Sequence, residues 1–188
     1  YLSILAVERI FAQHDLRIFD IETLTTHGGS LRLFVTHADA SHEETPCVDA
    51  VRTEEKAAGL ENVETYLAFS NTVIQVKHAL LNLLLDLKAQ GKQVVGYGAP
   101  GKGNTLLNYC GIREDFLRYT VDRNPYKHGK FLPGTHIPIH PTGKIAETKP
   151  DYILILPWNL KDEIIKQLEY TKDWGAKFIV PIPEAQIV

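Results

Sequence analysis

Methionine is absent from all 188 residues, and cysteine occurs only twice, as Cys47 and Cys110, with no CxxC spacing. Two isolated thiols supply neither a disulfide framework nor a structural zinc site, and they suit a reducing, cytoplasmic compartment. A chain without methionine that opens at Tyr1, already in helical periodicity, reads as a piece of a longer protein. Basic excess is missing too. Lys and Arg number 20 against 23 Asp and Glu, for a net charge of −3, and no stripe of cations is present to neutralise a nucleic-acid backbone. An anionic partner is therefore small. The longest apolar run, residues 79–87, is broken by Asn82 and Asp86 and is far short of the ~20 residues that span a bilayer. No signal peptide is visible, so a membrane partner is not expected. Hydrophobic residues at 44% and charged residues at 23% are globular values, which excludes a disordered chain.

What is present centres on one stretch. Gln93-Val94-Val95-Gly96 reads as a strand, four glycines follow (Gly96, Gly98, Gly101 and Gly103), and Asn104-Thr105-Leu106-Leu107 opens a helix. Glycine suits such a turn because a residue without Cβ takes positive φ cheaply and lets backbone N–H groups approach a phosphate. Gly96-x-Gly98-x-x-Gly101 is the dinucleotide spacing, and Asp122 closes the next candidate strand at about the expected ~20-residue remove. A tight βα turn that binds nothing is the plainer alternative. Gly96-x-x-x-x-Gly101-Lys102 falls short of a P-loop, because Gly103 stands where a Ser or Thr would ligate Mg²⁺.

In chain order, helical spacing over residues 1–13 precedes two alternating strands, 16–21 and 31–36, joined by the His27-Gly28-Gly29-Ser30 turn as an antiparallel pair. Such a unit must lean on something else. Charged and small residues then suggest a linker over 39–62 with a short helix, 48–58, ended by Gly59. A long helix follows over 63–90, stopped by Gly91, with its leucine-dense end expected to be buried on most sides against a sheet. Strands at 93–96, 119–122, 152–156 and 177–180 alternate with helices at 104–109, 143–148 and 159–168, the last with Asn159 as its cap. Continuous apolar strands between helices predict an α/β, Rossmann-like, open and mainly parallel sheet with helices on both faces. The expected division is 1–38, 39–62 and 63–188.

Ligands of such sheets lie beyond the carboxyl ends of the strands. Those ends deliver the glycine turn, then Asp122 to Lys130, then Pro157-Trp158-Asn159. Arg123, Lys127 and Lys130 with Lys102 would attract a diphosphate, and Asp122 or Asn124 could hold a ribose or sugar hydroxyl; solvated loop charges are the alternative. His136 and His140 offer two imidazoles on an extended segment but no third metal ligand. His27 is either a proton carrier or a turn histidine satisfied by backbone. No nucleophile elbow is recognisable.

Three blocks in order carry a resemblance: Gly96-Tyr-Gly-Ala-Pro-Gly-Lys-Gly-Asn-Thr-Leu-Leu-Asn108, then Val121-Asp-Arg-Asn-Pro-Tyr-Lys-His-Gly-Lys-Phe-Leu-Pro-Gly-Thr-His-Ile-Pro-Ile139, then Leu154-Ile-Leu-Pro-Trp-Asn159. With Tyr1-Leu-Ser and His27-Gly-Gly-Ser-Leu-Arg32, they resemble the C-terminal domain of the S-adenosylmethionine-dependent sugar C-methyltransferases over essentially the whole chain. The resemblance implies a zinc-binding N-terminal region and a central methyltransferase domain upstream, of which residues 1–38 would be the end. It implies a base histidine just before the Tyr-x-Ser segment, outside this chain, so that these residues alone would not methylate. It further implies that Gly96, Gly98, Gly101, Lys102, Gly103, Asn104, Asp122, Arg123, Asn124, Lys127 and Lys130 meet a nucleotide-linked keto-sugar or similar anionic acceptor. A free-standing NAD(P) module, with Asp122 on the ribose, and a non-enzymatic nucleotide sensor are the competing readings.

Overall fold

The computed structural model describes residues 2–26 and 29–188. Tyr1, His27 and Gly28 fall outside them, and with them the Tyr1 end of the resemblance and the reading of His27 as a proton carrier. The chain divides into two compact units, Tyr1–Asn71 and Thr72–Val188.

In the first unit, α1 (Ile4–Ala12) precedes an antiparallel pair, β1 (Leu16–Leu24) and β2 (Ser30–His37). Strict alternation would send Ile18 and Asp20 to one face. A register shift between Ile18 and Asp20 resets the phase instead, and Ile18 and Ile21 both turn inward, because one extra residue in a strand swaps the faces of everything after it. The segment read from sequence as a linker carries α2 (Pro46–Ala57), whose Val48 is fully buried with Ile4, Ile18 and Ile21. The hairpin thus leans on α2 as well as α1. Polar contacts fix the arrangement. Arg52 donates to Glu8 and, as a fork, to both oxygens of Glu44 at 2.7 Å. The Glu55 carboxylate accepts from the Ile4 and Leu5 N–H groups at 2.7 and 3.0 Å, satisfying donors that the first turn of any helix leaves free and placing a negative charge at the positive end of the dipole. Glu55→Ala is expected to cost about 1–2 kcal/mol, read as a shift of the urea midpoint; an unchanged midpoint would show that water replaces the carboxylate at no cost.

The helix α3 (Val63–Ala89) begins in the first unit and ends in the second. Its leucine-rich end is covered on one side rather than most: Leu80, Leu84 and Leu87 are buried, whereas Leu85 is 51% exposed. The stripe at i, i+4 and i+7 is that of a helix lying on a sheet.

That sheet has six strands in the order β5-β4-β3-β6-β7-β8: β3 (Val94–Tyr97), β4 (Thr120–Val121), β5 (Ile139–His140), β6 (Tyr152–Ile155), β7 (Lys177–Val180) and β8 (Gln186–Ile187). All neighbours are parallel except β8, which runs antiparallel at the edge. The expected Rossmann-like, mainly parallel sheet is what forms. Alternation along the central strands builds two cores. Val94 and Leu154 join Leu80, Leu84 and Leu87 of α3 and Leu107 of α4 (Gly101–Cys110). Val95, Ile153 and Ile155 join Ile145 of α5 (Lys144–Thr148) and Ile164 of α6 (Lys161–Gln167). Burial on both faces is why these strands are apolar without interruption. No described helix is long and apolar enough to cross a membrane.

Two local expectations need correction. The helix after β3 starts at Gly101, three residues before Asn104, because Pro100 sets an extended residue just ahead of it and its glycines tolerate helical backbone. The stretch expected as one helix over 159–168 is a 3-10 turn, Trp158–Leu160, followed by α6, and no side chain caps α6.

Candidate functional site

The chain leaves β3, moves outward through β4 and β5, then returns to the other side of β3 as β6. The reversal places a topological switch point between β3 and β6, the position beyond whose strand ends open sheets of this type take their ligands. The glycine turn is the loop on one side, and Pro157-Trp158-Asn159 is the loop on the other.

The glycines divide the work. A Cβ on Gly96 would stand 2.7 Å from Thr120 Oγ1, one on Gly98 2.7 Å from the Pro157 ring, and one on Gly103 2.7 Å from Leu156 Cβ. All three permit close approach of neighbouring segments. Gly98 also has φ of +88°. At Gly101 a Cβ would meet nothing within 4 Å, so this residue faces open space at the start of α4. The close helix–strand contact expected of the third fingerprint glycine is made by Gly103 instead.

The turn itself is held by β4. Gly98 donates to Val121 O at 2.6 Å and accepts from Thr120 Oγ1 at 2.7 Å. Asp122, 9% exposed, accepts from Asn124 N–H through Oδ1 at 2.8 Å, and through Oδ2 from Ala99 N–H at 2.7 Å and Lys127 Nζ at 3.0 Å. Lys127 also donates to Ala99 O at 3.1 Å. Burial alone would raise the Asp122 pKa, but the Asn124 N–H, the Lys127 ammonium and the Ala99 N–H together carry it below the usual aspartate value. Asn124 is used locally, its side chain accepting from Tyr126 N–H at 3.0 Å. Asp122 therefore braces the turn, with both of its carboxylate oxygens engaged.

Beyond the brace, the first turn of α4 has no side-chain cap, and its N–H groups point where the helix dipole attracts negative charge. The side chain of Lys102 reaches across the switch point to Asn159 Oδ1, with its Nζ 4.7 Å from the centre of the Trp158 ring. Asn159, expected to cap a helix, is the acceptor for this lysine instead. Asn104 Oδ1 and Thr135 Oγ1 are both buried with no protein partner; Thr135 has no counterpart among the sequence expectations, since one threonine in a loop gives no signal.

The predicted cations separate into kinds. Lys127 is neutralised by Asp122, and Arg123 stands 3.9 Å from Glu163 in an exposed pair of the sort that contributes little. Lys102 is held by two neutral groups, and Lys130 has no side-chain partner among the described residues. His136 has a left-handed backbone and His140 lies edge-on to Tyr119. Among the described residues no three His, Cys, Asp or Glu side chains gather to hold a metal. Tyr97, beside Gln167, is pushed up by burial and stays a neutral hydrogen-bonding group. The first unit has a cavity of its own, about 310 Å³, lined by Leu5, Ala6, Leu60, Val63 and Tyr66 among others; none of the candidate binding residues lines it.

Together these features define an α/β domain of Rossmann type whose glycine turn and helix N-terminus meet at the switch point of a parallel sheet. A protein-family model described as the C-methyltransferase C-terminal domain matches residues 25–183, and the chain belongs to that family. It is 38% identical over its full 188 residues to the C-methyltransferase NovU of Streptomyces niveus, 45% of whose length it covers. The chain thus spans less than half of that relative.

Proposed function

We propose that this chain is the acceptor-binding part of an S-adenosylmethionine-dependent C-methyltransferase, and that the acceptor is a nucleotide-linked keto-sugar or a similar anionic small molecule. The observation that carries the reading is the uncapped start of α4 beside Lys102 at the β3/β6 switch, in a chain of C-methyltransferase ancestry. Backbone N–H groups at a helix start and an ammonium not neutralised by a carboxylate together suit a diphosphate. Gly101 leaves room for it.

S-adenosylmethionine supplies the methyl group in this chemistry, accepted by the carbon next to a keto group once a base has removed its proton. None of the residues gathered here is placed to be that base, and the regions holding the cofactor and the zinc lie outside these residues in this proposal. What this chain contributes is binding and orientation, which set the reacting carbon in line with the donor.

Calorimetry with a thymidine-diphosphate sugar, S-adenosylmethionine, NADH and NADPH tests the reading. The sugar nucleotide is expected to bind, and Lys102→Ala to weaken it roughly tenfold, the worth of one charge-assisted contact at a partly exposed site, without changing the unfolding midpoint. Tight NADH binding would overturn the proposal. An unchanged affinity in the lysine variant would show that Lys102 is merely solvated.

A further inference from the structure

Of the four cations that the sequence places near the switch point, two are compensated by carboxylates, Lys127 by Asp122 and Arg123 by Glu163. Lys102 is treated differently. Its ammonium is held by an amide oxygen, Asn159 Oδ1, and by the face of an indole, Trp158. Both groups attract a cation, the indole through its ring quadrupole, yet neither carries a charge that would cancel it. The ammonium is fixed in place with its full charge left over.

The holder is itself anchored to the glycine turn. Leu156 N–H donates to Tyr97 O at 3.0 Å, the Pro157 ring packs where a Cβ of Gly98 would sit, and Leu160 N–H closes the Trp158–Leu160 turn onto Pro157 O at 2.8 Å. Trp158 and Asn159 are thus set relative to the same turn that presents the free N–H groups of α4. A lysine on a flexible four-carbon stem would otherwise sweep a wide volume; here it is held at the start of α4.

We propose that Trp158 and Asn159 are positioning residues that hold Lys102, uncompensated, beside the start of α4 at the β3/β6 switch point to receive the diphosphate of a nucleotide-linked acceptor. The inference rests on the function proposed above and adds to it the pair of neutral side chains through which the lysine acts. An acidic residue at 159 would hold the lysine equally well but would spend its charge.

The test is a double-mutant cycle read as affinity for thymidine diphosphate. Asn159→Ala and Trp158→Leu are each expected to weaken binding roughly five- to tenfold, and neither to weaken it further in a Lys102→Ala background. Asn159→Asp, close in shape, is expected to lose at least as much as Asn159→Ala, because the new carboxylate competes with the ligand. In a Trp174→Phe background the emission of Trp158 is expected to change when Lys102 is replaced by Ala, ligand or none. Losses that add to that of Lys102→Ala, an Asn159→Asp variant that binds as well as the unsubstituted chain, or an emission indifferent to Lys102 would each overturn the positioning role while leaving the binding site standing. Failure of the unsubstituted chain to bind thymidine diphosphate would remove the binding reading, and the positioning role with it.

Discussion

Gly98→Ala is expected to lower the melting temperature by about 10 °C, which for a chain of this length corresponds to a loss of about 3 kcal/mol. Two costs combine. The backbone at residue 98 has φ of +88°, where a Cβ crowds the carbonyl and costs roughly 1–2 kcal/mol. That Cβ would also stand 2.7 and 2.9 Å from two ring carbons of Pro157, a ring that cannot rotate aside, and overpacking of this kind costs about 1–3 kcal/mol. Gly101→Ala is the matched control: it lies in the same turn, has no neighbour within 4 Å of the added carbon, and sits at the start of α4, where alanine is the better helix former. Its melting temperature is expected to hold or rise slightly. Equal melting temperatures for the two variants would show that the loops after β3 and β6 are not in the tight contact described.

Asp122→Ala is the second large effect. It removes the acceptor for Ala99 N–H and Asn124 N–H and leaves the Lys127 ammonium with the Ala99 carbonyl but no carboxylate. The Lys127 side chain is 36% exposed and can turn to water, whereas that of Asp122 is 12% exposed, so the loss is expected at the low end of that for a buried pair, about 3 kcal/mol. Asp122→Asn keeps the shape and isolates the charge. Because the folded pKa of Asp122 is lowered, by contacts with Asn124, Lys127 and Ala99 that outweigh its burial, its carboxylate stabilises the fold fully above the unfolded pKa. That stabilisation is lost as pH falls below about 4, through the folded value. Urea unfolding at about pH 7 and about pH 3 should therefore show a wide gap between the unsubstituted chain and Asp122→Asn at neutral pH that narrows in acid. A gap independent of pH would mean that the carboxylate is not ionised in its brace.

The parallel sheet was legible in the sequence because strands buried on both faces cannot hide: residues 152–156 and 177–180 are apolar runs bounded by turn residues, and residues 93–96 end on glycine. The edges were not. Ile139–His140 and Gln186–Ile187 are two residues each, too short for any period to register. The bulge in β1 left one trace, the adjacent apolar pair Ile18-Phe19, and a single doubled residue does not mark a register shift until the strand pairing shows it. At the candidate site, spacing singled out residues but could not show which of them hold one another. Asp122 and Lys127, both expected at a ligand, also meet each other and the glycine turn, because the residue just after β4 lies beside the loop that leaves the neighbouring β3. Asn159 was expected to cap a helix, as asparagine before a helical run commonly does; a lysine from another segment took its oxygen first, and pairings between segments distant in sequence leave no mark on local pattern.

Both peptide groups of the loop after β3 are spoken for before anything arrives: the Gly98 N–H and carbonyl by Val121 and Thr120, the Ala99 N–H and carbonyl by Asp122 and Lys127. A segment named for glycine flexibility is in fact a stiff frame, with little conformational entropy left to surrender on association. Whatever docks at this rim meets a backbone already set in its final shape, and the ordering penalty falls on side chains at its margin rather than on the main chain beneath.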